Sequence, residues 1–247
     1  MTSLDVAIPT ADGTAAATLH VPEGTGPWPA AILYPDVAGL RPTFSRMGER
    51  LASYGYVVLV PDLYHRSAPW EPFDAATVFG DEPERARMYA LAGSVGPDEW
   101  AADTGSFIDF LEARPEVIAG PIGTTGYCYG GRVSLTIAGR LGERIGAAAS
   151  FHGGGLATDD PKSPHLLAPE VRAQVYVGGA RDDGSFDAEA AERLAAAYTE
   201  AGVTFTIEQY DALHGFAVPD NGTYDPAAEE RHWSALSAFY DAALTAG

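Results

Sequence analysis

The sequence of 247 residues is poor in cysteine and in positive charge. Its one cysteine, Cys128, excludes an intramolecular disulfide and any metal site built from several cysteines. Lys and Arg number 15 against 34 Asp and Glu, which gives a formal net charge of −19. A field of that sign repels nucleic acids and anionic lipid headgroups, so we expect neither to be a partner.

Targeting and membrane signals are also missing from the sequence. The first residues include no basic segment followed by an apolar core, and no apolar run approaches the roughly 18 residues of a membrane span. We therefore expect a soluble cytoplasmic protein. Pro- and Gly-rich stretches at 67–81 and 153–170 are typical of binding loops rather than domain boundaries. Residues 1–247 are thus predicted to form one domain, as a monomer or weak homo-oligomer.

Short β-forming runs alternate with helical patterns along nearly the whole chain. Asp12-Gly13, between the first two runs, predicts an antiparallel hairpin. The predicted strands are Leu4–Ile8, Ala15–Val21, Ala30–Tyr34, Val57–Val60, Ile122–Tyr127, Ile145–Phe151, Val175–Val177 and Thr204–Tyr210. Helical patterns between and after them include Gly130–Leu141, Ala188–Ala201 and Ala227–Leu244. The alternation predicts the α/β class, with a mostly parallel sheet of about eight strands and helices on both faces.

The lone cysteine lies where a predicted strand turns into a predicted helix. Residues 126–130 read Gly-Tyr-Cys-Tyr-Gly, the pattern of a nucleophile elbow with cysteine in the position of the commoner serine. Glycines two residues before and after the nucleophile let the backbone pass through this tight turn. A lone cysteine is commonly buried and inert. Its position at a helix N-terminus, which favours the thiolate, instead indicates a nucleophile.

A nucleophile of this kind needs a histidine base and an acid that orients it, in the chain order nucleophile, acid, histidine. Asp182 and Asp183 follow one predicted strand, and His214 follows the next. Asp183 is the favoured acid of the adjacent pair. The other histidines, at positions 20, 65, 152, 165 and 232, are interpreted as packing or surface residues. None has the spacing of a metal site, so no metal and no cofactor is predicted.

Cys128 in Gly-Tyr-Cys-Tyr-Gly-Gly, Asp183, and His214 in His-Gly-Phe together resemble the dienelactone hydrolase family of α/β-hydrolases. The likeness covers nearly the whole chain and includes the segments 34–40 and 60–64. It implies an α/β-hydrolase fold with a Cys-His-Asp triad. It also implies that the backbone amides of Val37 and Tyr129 form the oxyanion hole.

The resemblance assigns further roles to side chains outside the triad. Asp36 takes the place of an acid that helps to convert the resting thiol to thiolate, and its side chain is one methylene shorter than the Glu of the best-known members. Arg85 and Tyr89, four residues apart on one helical face, match residues that bind a substrate carboxylate. Tyr64 is a further candidate for substrate binding. A second Arg expected four residues after the histidine is replaced by Val218.

The predicted function is hydrolysis of a small-molecule ester or lactone through an acyl thioester on Cys128. The missing second Arg favours a neutral or larger substrate over an anionic dienelactone. A thioesterase, acyltransferase or peptidase-like activity on the same triad is the nearest alternative. A non-catalytic ligand-binding module of this fold and a thiol sensor are alternatives from other functional classes.

Overall fold

The computed structural model describes residues 1–244, in which one eight-stranded sheet carries helices on both faces. The strands are β1 (Thr2–Thr10), β2 (Gly13–Val21), β3 (Ala30–Tyr34), β4 (Val57–Pro61), β5 (Ile122–Tyr127), β6 (Ile145–Phe151), β7 (Gln174–Ala180) and β8 (Phe205–Tyr210). The helices are α1 (Pro42–Ala52), α2 (Glu82–Gly93), α3 (Pro97–Glu112), α4 (Tyr129–Arg140), α5 (Ala188–Ala201) and α6 (Pro226–Leu244). Short 3-10 helices occupy His65–Ser67, Gly142–Arg144 and Pro164–Glu170.

The strand order is β1-β2-β4-β3-β5-β6-β7-β8. Strands β1 and β2 form the antiparallel hairpin, β2 pairs antiparallel with β4, and the six strands from β3 to β8 run parallel. This order confirms the predicted α/β-hydrolase fold. The structure differs from the prediction in the stretch 153–170. The sequence predicts a loop there, but the last seven residues form a 3-10 helix after Ser163.

The hydrophobic core forms two layers, one on each face of the sheet. Strand β3 divides its side chains between them, as alternating residues of a strand must. Apolar side chains of α3, α4 and α5 pack on one face, and those of α1 and α6 pack on the other. Because β3 and β4 are covered on both faces, every one of their residues is buried.

The parallel strands end at one edge of the sheet, and the chain leaves that edge in loops. These loops begin after Tyr34, Tyr127, Phe151, Ala180 and Tyr210. In open parallel sheets, ligands bind outside the carboxyl ends of the strands. The triad candidates Cys128, Asp183 and His214 lie in these loops, whereas Tyr64 follows β4, and Arg85 and Tyr89 lie on α2.

Candidate active site

The turn between β5 and α4 presents Cys128 at the carboxyl edge of the sheet. Its φ of 53° and ψ of −113° are values that few residues other than glycine adopt. A Cβ on Gly126 would lie 1.9 Å from the carbonyl oxygen of Gly130, and one on Gly130 would lie 2.3 Å from that of Tyr34. Glycine is therefore required on both sides of the cysteine. The thiol, partly exposed, stands at the N-terminus of α4.

His214 and Asp183 come from the loops after β8 and β7. His214 Nδ1 lies 2.7 Å from Asp183 Oδ2. The other oxygen of Asp183 accepts hydrogen bonds from the backbone N–H and the hydroxyl of Ser185, at 2.9 and 2.6 Å. The side chain of Asp183 is 5% exposed, whereas that of Asp182 is 83% exposed and faces Arg181. Of the two adjacent acids, Asp183 is the one that contacts the histidine.

Opposing effects set the protonation of this pair. Burial raises the pKa of Asp183, but the hydrogen bonds from His214 and Ser185 outweigh it and lower that pKa to about 2. Burial lowers the pKa of His214, but its hydrogen bonds with Asp183 and Cys128 raise that pKa to about 10. Asp183 and His214 are thus joined by a direct hydrogen bond, and Cys128 lies close enough to His214 to raise its pKa. Because Asp183 occupies Nδ1, the Nε2 atom of His214 is the one left for the thiol.

The amides predicted to form the oxyanion hole belong to the loops around the thiol. Tyr129 is the first residue of α4, so its N–H has no partner within the helix. Val37 follows β3, and its carbonyl oxygen accepts a hydrogen bond of 2.9 Å from the buried Tyr64 hydroxyl. Val37 and Tyr129 both line a cavity with Cys128. This arrangement agrees with an oxyanion hole, which stays a prediction.

Asp36 is buried and binds Arg41, a partner that the sequence did not indicate. Its two carboxylate oxygens accept hydrogen bonds from Arg41 at 2.7 and 2.9 Å, and one of them also accepts from the N–H of Ala38. Arg41 binds Asp220 as well, at 2.8 Å. Asp36 lines a cavity with Cys128. Its role in activating the thiol stays a prediction, and Arg41 is the group that would compete for its charge.

Two cavities adjoin the thiol. The larger cavity has a volume of about 690 Å³ and the smaller about 500 Å³. Residues common to both are Val37, Phe79, Cys128 and His214. Side chains found only in the larger cavity include Tyr89, Trp100, Tyr129, Arg132 and Lys162. Side chains found only in the smaller cavity include Asp36, Ala75, His152, Asn221 and Thr223. The larger cavity thus has more aromatic side chains in its lining, together with two cations, and both cavities are predominantly apolar.

The candidate substrate-binding residues are not brought together. Tyr89 lines the larger cavity and is 54% exposed. Arg85 lines neither cavity that adjoins the thiol, and its guanidinium donates to the Phe79 carbonyl oxygen at 2.8 Å. Tyr64 is buried and lines neither of them, since its hydroxyl is bound to Val37. Their roles in binding substrate stay predictions, and the geometry favours only that of Tyr89.

Sequence reasoning missed several residues of the site. Arg132 is four residues after Cys128, one helical turn away, and that spacing could have placed it beside the thiol. Ser185 follows Asp183 by two residues, the spacing at which an Asp side chain binds its own turn. His152 was interpreted as a packing or surface residue, yet it lines the smaller cavity. Its position directly after a strand, as for His214, was the available signal.

Neither a metal cluster nor a membrane span emerges from residues 1–244. In that part of the chain no three His, Cys, Asp or Glu side chains are grouped so that they could hold a metal ion. Over the same range, no helix has both the length and the apolar character needed to cross a bilayer.

Known proteins resemble this chain in sequence. The model of the dienelactone hydrolase family matches residues 15–244. Carboxymethylenebutenolidase from Pseudomonas sp. strain P51 is 26% identical over 216 residues, which cover 87% of this chain and 85% of that protein. Carboxymethylenebutenolidase from Pseudomonas putida is 25% identical over 174 residues, or 70% of each chain.

Solved structures share the fold. A dienelactone hydrolase-like promiscuous phosphotriesterase from metagenomic libraries superposes with a TM-score of 0.78 and 24% identity, over 98% of both chains. A thermophilic esterase from Thermogutta terrifontis gives a TM-score of 0.71 and 15% identity, over 97% of this chain and 92% of the other. At these identities the structures establish the fold alone, and the family follows from the sequence match. The chain belongs to the dienelactone hydrolase family and is a hydrolase of ester or lactone bonds.

Proposed function

We propose that this hydrolase cleaves its ester or lactone by nucleophilic attack of Cys128, with His214 as the proton carrier and Asp183 as the residue that orients it. The observation that carries the proposal is the direct contact of Asp183 with His214, at a point where His214 and Cys128 together line two cavities. A nucleophile, a base and an orienting acid in contact form the arrangement that acyl transfer requires.

Acylation begins when the Cys128 thiol gives its proton to Nε2 of His214. Because the pKa of His214 is raised to about 10, this proton lies on the imidazole at neutral pH, and the sulfur reacts as a thiolate. The sulfur then forms a bond to the acyl carbon, and the carbonyl oxygen becomes an oxyanion that the Val37 and Tyr129 amides bind. Collapse of this intermediate breaks the carbon–oxygen bond. The leaving oxygen takes the proton from His214, and an acyl thioester remains on Cys128.

Deacylation uses the same groups in reverse order. His214 takes a proton from a water molecule, and the resulting hydroxide attacks the thioester carbon. Breakage of the carbon–sulfur bond returns the thiol with the proton held by His214 and releases the carboxylic acid. Asp183 keeps one nitrogen of the imidazole occupied throughout, so that the other faces the reacting atoms.

The lining of the larger cavity supports an apolar acyl group on the substrate. Phe79, Tyr89 and Trp100 give it aromatic surface that a hydrocarbon or aryl group would cover. Arg85, which the resemblance assigns to a substrate carboxylate, lies outside this lining. A bulky ester or lactone with an apolar acyl group is therefore favoured over a small dienelactone, and Arg132 and Lys162 are the cations of the lining that could bind any anionic group it carries.

The test compares wild type with Cys128→Ala and His214→Ala on p-nitrophenyl acetate and on a panel of small lactones. We expect each variant to lose on the order of 10⁴-fold in kcat/KM, as removal of a triad member does elsewhere. Mass spectrometry of quenched wild type should find an acetyl group on the peptide that contains Cys128. Because Cys128 is the only cysteine, a thiol-directed reagent should modify this site alone and abolish turnover.

Ser106→Ala is the matched control, because Ser106 lies on α3 and lines neither cavity next to the thiol. It should turn over both substrates like wild type. Turnover by Cys128→Ala within tenfold of wild type would contradict the proposal. So would an acetyl group found only on residues other than Cys128.

A further inference from the structure

His152 is fully buried beside the reacting groups and has no hydrogen-bond partner for its ring within residues 1–244. It is 1% exposed, and neither Nδ1 nor Nε2 contacts a donor or acceptor of the described chain. The ring lines the smaller cavity together with Cys128 and His214. A buried polar group without a partner destabilises a fold, and such groups in native proteins usually bind water or ligand.

The backbone fixes this ring in place. His152 directly follows β6, and its N–H donates to the Gly178 carbonyl oxygen at 2.8 Å. Its φ of 39° is a left-handed value, which histidine adopts more readily than most residues. The ring centroid lies 5.2 Å from that of His214 and 5.1 Å from that of Phe216. The ring of His152 therefore packs against Phe216 and lies next to the imidazole of His214.

The protonation state of His152 suits a neutral partner. Burial, and the nearby His214, hold the pKa of His152 well below its ordinary value. A neutral imidazole carries one N–H donor and one lone-pair acceptor. Water and alcohols also both donate and accept, so either would satisfy the two nitrogens in part. An apolar acyl chain in the smaller cavity would leave both nitrogens unsatisfied.

In the proposed mechanism the leaving alcohol departs from a position beside His214, and the hydrolytic water enters that same position. Both molecules exchange their proton with Nε2 of His214, so they occupy the same position at different times. The aromatic lining of the larger cavity suits the acyl group. The smaller cavity, which also borders Cys128 and His214, is left for the leaving alcohol and the water.

We propose that His152 is a further catalytic residue, which binds the hydrolytic water in the smaller cavity and holds it for deprotonation by His214. The inference rests on the proposed thioester mechanism. His152 forms one hydrogen bond to the water oxygen or to a water hydrogen, and His214 accepts the other hydrogen as a proton. The hydroxide then attacks the thioester carbon, so His152 acts on deacylation and gains or loses no proton itself.

The test is pre-steady-state hydrolysis of p-nitrophenyl acetate by wild type, His152→Phe and His152→Asn. Release of p-nitrophenolate needs no proton, so the burst rate of His152→Phe should stay within about threefold of wild type. Its steady-state rate should fall by about 10- to 100-fold, the order of loss for a misplaced reactant. Acetyl-Cys128 should therefore accumulate in His152→Phe. Asn tolerates a positive φ and keeps a donor and an acceptor, so His152→Asn should deacylate within about fivefold of wild type.

His165→Phe is the matched control, because His165 binds Ser163 and lines neither cavity next to the thiol. It should leave both phases unchanged. An equal fall of burst and steady-state rates in His152→Phe, or no fall in either, would overturn the role of His152. Absence of any acyl enzyme in wild type would instead contradict the proposed function.

A crystal structure of the wild-type enzyme tests His152 without turnover. It should contain an ordered water within hydrogen-bond distance of a His152 ring nitrogen, and His152→Phe should lack that water. A wild-type cavity with no water or other oxygen atom near either ring nitrogen would overturn the inference, whatever the kinetics show.

Discussion

Asp183 has both of its oxygens committed, and this determines what it can do for His214. One oxygen contacts the imidazole, and the other accepts two hydrogen bonds from Ser185. The carboxylate cannot rotate without breaking the bonds to Ser185, so the angle at which it meets His214 is fixed. A general base held in one orientation and one tautomer avoids the entropic cost of finding them in each turnover.

Replacement of Asp183 by Asn should lower the pKa of His214. The hydrogen bonds with Asp183 and Cys128 raise that pKa to about 10 against the effect of burial. Loss of the carboxylate removes one of the interactions that oppose the effect of burial on His214. The pKa of His214 should therefore fall from about 10 towards or below the ordinary value of about 6.5. The chemical shift of the imidazole carbon-bound protons, followed by NMR from pH 5 to 11, measures the change.

Asp182→Asn is the control for that titration. The Asp182 side chain is 83% exposed and faces Arg181, so replacing its carboxylate should leave the pKa of His214 unchanged. If Asp182→Asn lowered the pKa of His214 as much as Asp183→Asn, the assignment of the orienting acid would be wrong.

The turn from β5 to α4 depends on glycines that contact other strands. The Cβ missing from Gly130 would collide with the carbonyl oxygen of Tyr34 at the end of β3, 2.3 Å away. That oxygen is backbone and cannot swing aside as a side chain would. The elbow is therefore held against the neighbouring strand, and its position fixes the sulfur relative to the loop that carries Val37.

Gly130→Ala should destabilise the protein by about 3 kcal/mol or more, because overpacking against backbone forces the helix and strand apart. The matched control is Gly105→Ala on α3, where an added Cβ meets nothing within 4 Å. Alanine in a helix interior should stabilise the protein there by up to about 1 kcal/mol. Urea unfolding followed by circular dichroism gives both values. Similar stability of Gly130→Ala and wild type would show that the elbow tolerates a side chain.

The sequence was informative wherever a pattern repeats along one element. Short β-forming runs and helical patterns predicted the strands and helices, and the glycine spacing predicted the turn at Cys128. Chain order predicted an acid between Cys128 and His214, and the structure pairs Asp183, the favoured one of the two adjacent acids, with His214. The resemblance to a family added the fold name, which the structural neighbours confirm.

Contacts between distant parts of the chain left no such pattern. The ion pair of Arg41 with Asp220 joins residues 179 positions apart, and nothing in the spacing of charges indicates it. The buried ring of His152 was equally hidden, because its environment is formed by the loop after β8 as well as by its own strand. Tertiary packing alone creates the Arg41–Asp220 pair and the burial of His152, although the position of His152 directly after β6 was a local signal.

The central sheet brings together reactive side chains from loops that are far apart in sequence. Val37, Cys128, His152, Asp183 and His214 follow five different parallel strands, β3, β5, β6, β7 and β8. The common direction of these strands brings all five loops to one edge. The assembly of the site is therefore coupled to the folding of the central sheet.

Behind the sheet edge, the fold also buries a histidine that plays no part in the proposed reaction. His232 on α6 is fully buried, with Nε2 at 2.9 Å from the Tyr127 hydroxyl and Nδ1 at 2.7 Å from the Glu229 carbonyl oxygen. A neutral ring satisfies both contacts, because Nδ1–H donates to the carbonyl and Nε2 accepts from the hydroxyl. Burial lowers the pKa of His232 to about 3.

The low pKa of His232 should make the fold sensitive to acid. An unfolded histidine binds a proton below a pH of about 6.5, whereas the folded one stays neutral down to about 3. Between these limits the unfolded state holds the extra proton, so the free energy of unfolding falls as the pH falls, by about 1.4 kcal/mol per unit for this residue.

Urea unfolding of wild type and His232→Gln at pH 8, 7, 6, 5 and 4 measures this pH dependence. The variant should be less stable than wild type by a constant amount at pH 7 and 8, and this difference should shrink steadily below pH 6. Contributions from Asp183 and other groups are common to both proteins and cancel in the difference. Curves that stay parallel down to pH 4 would mean that the folded protein accommodates a protonated His232.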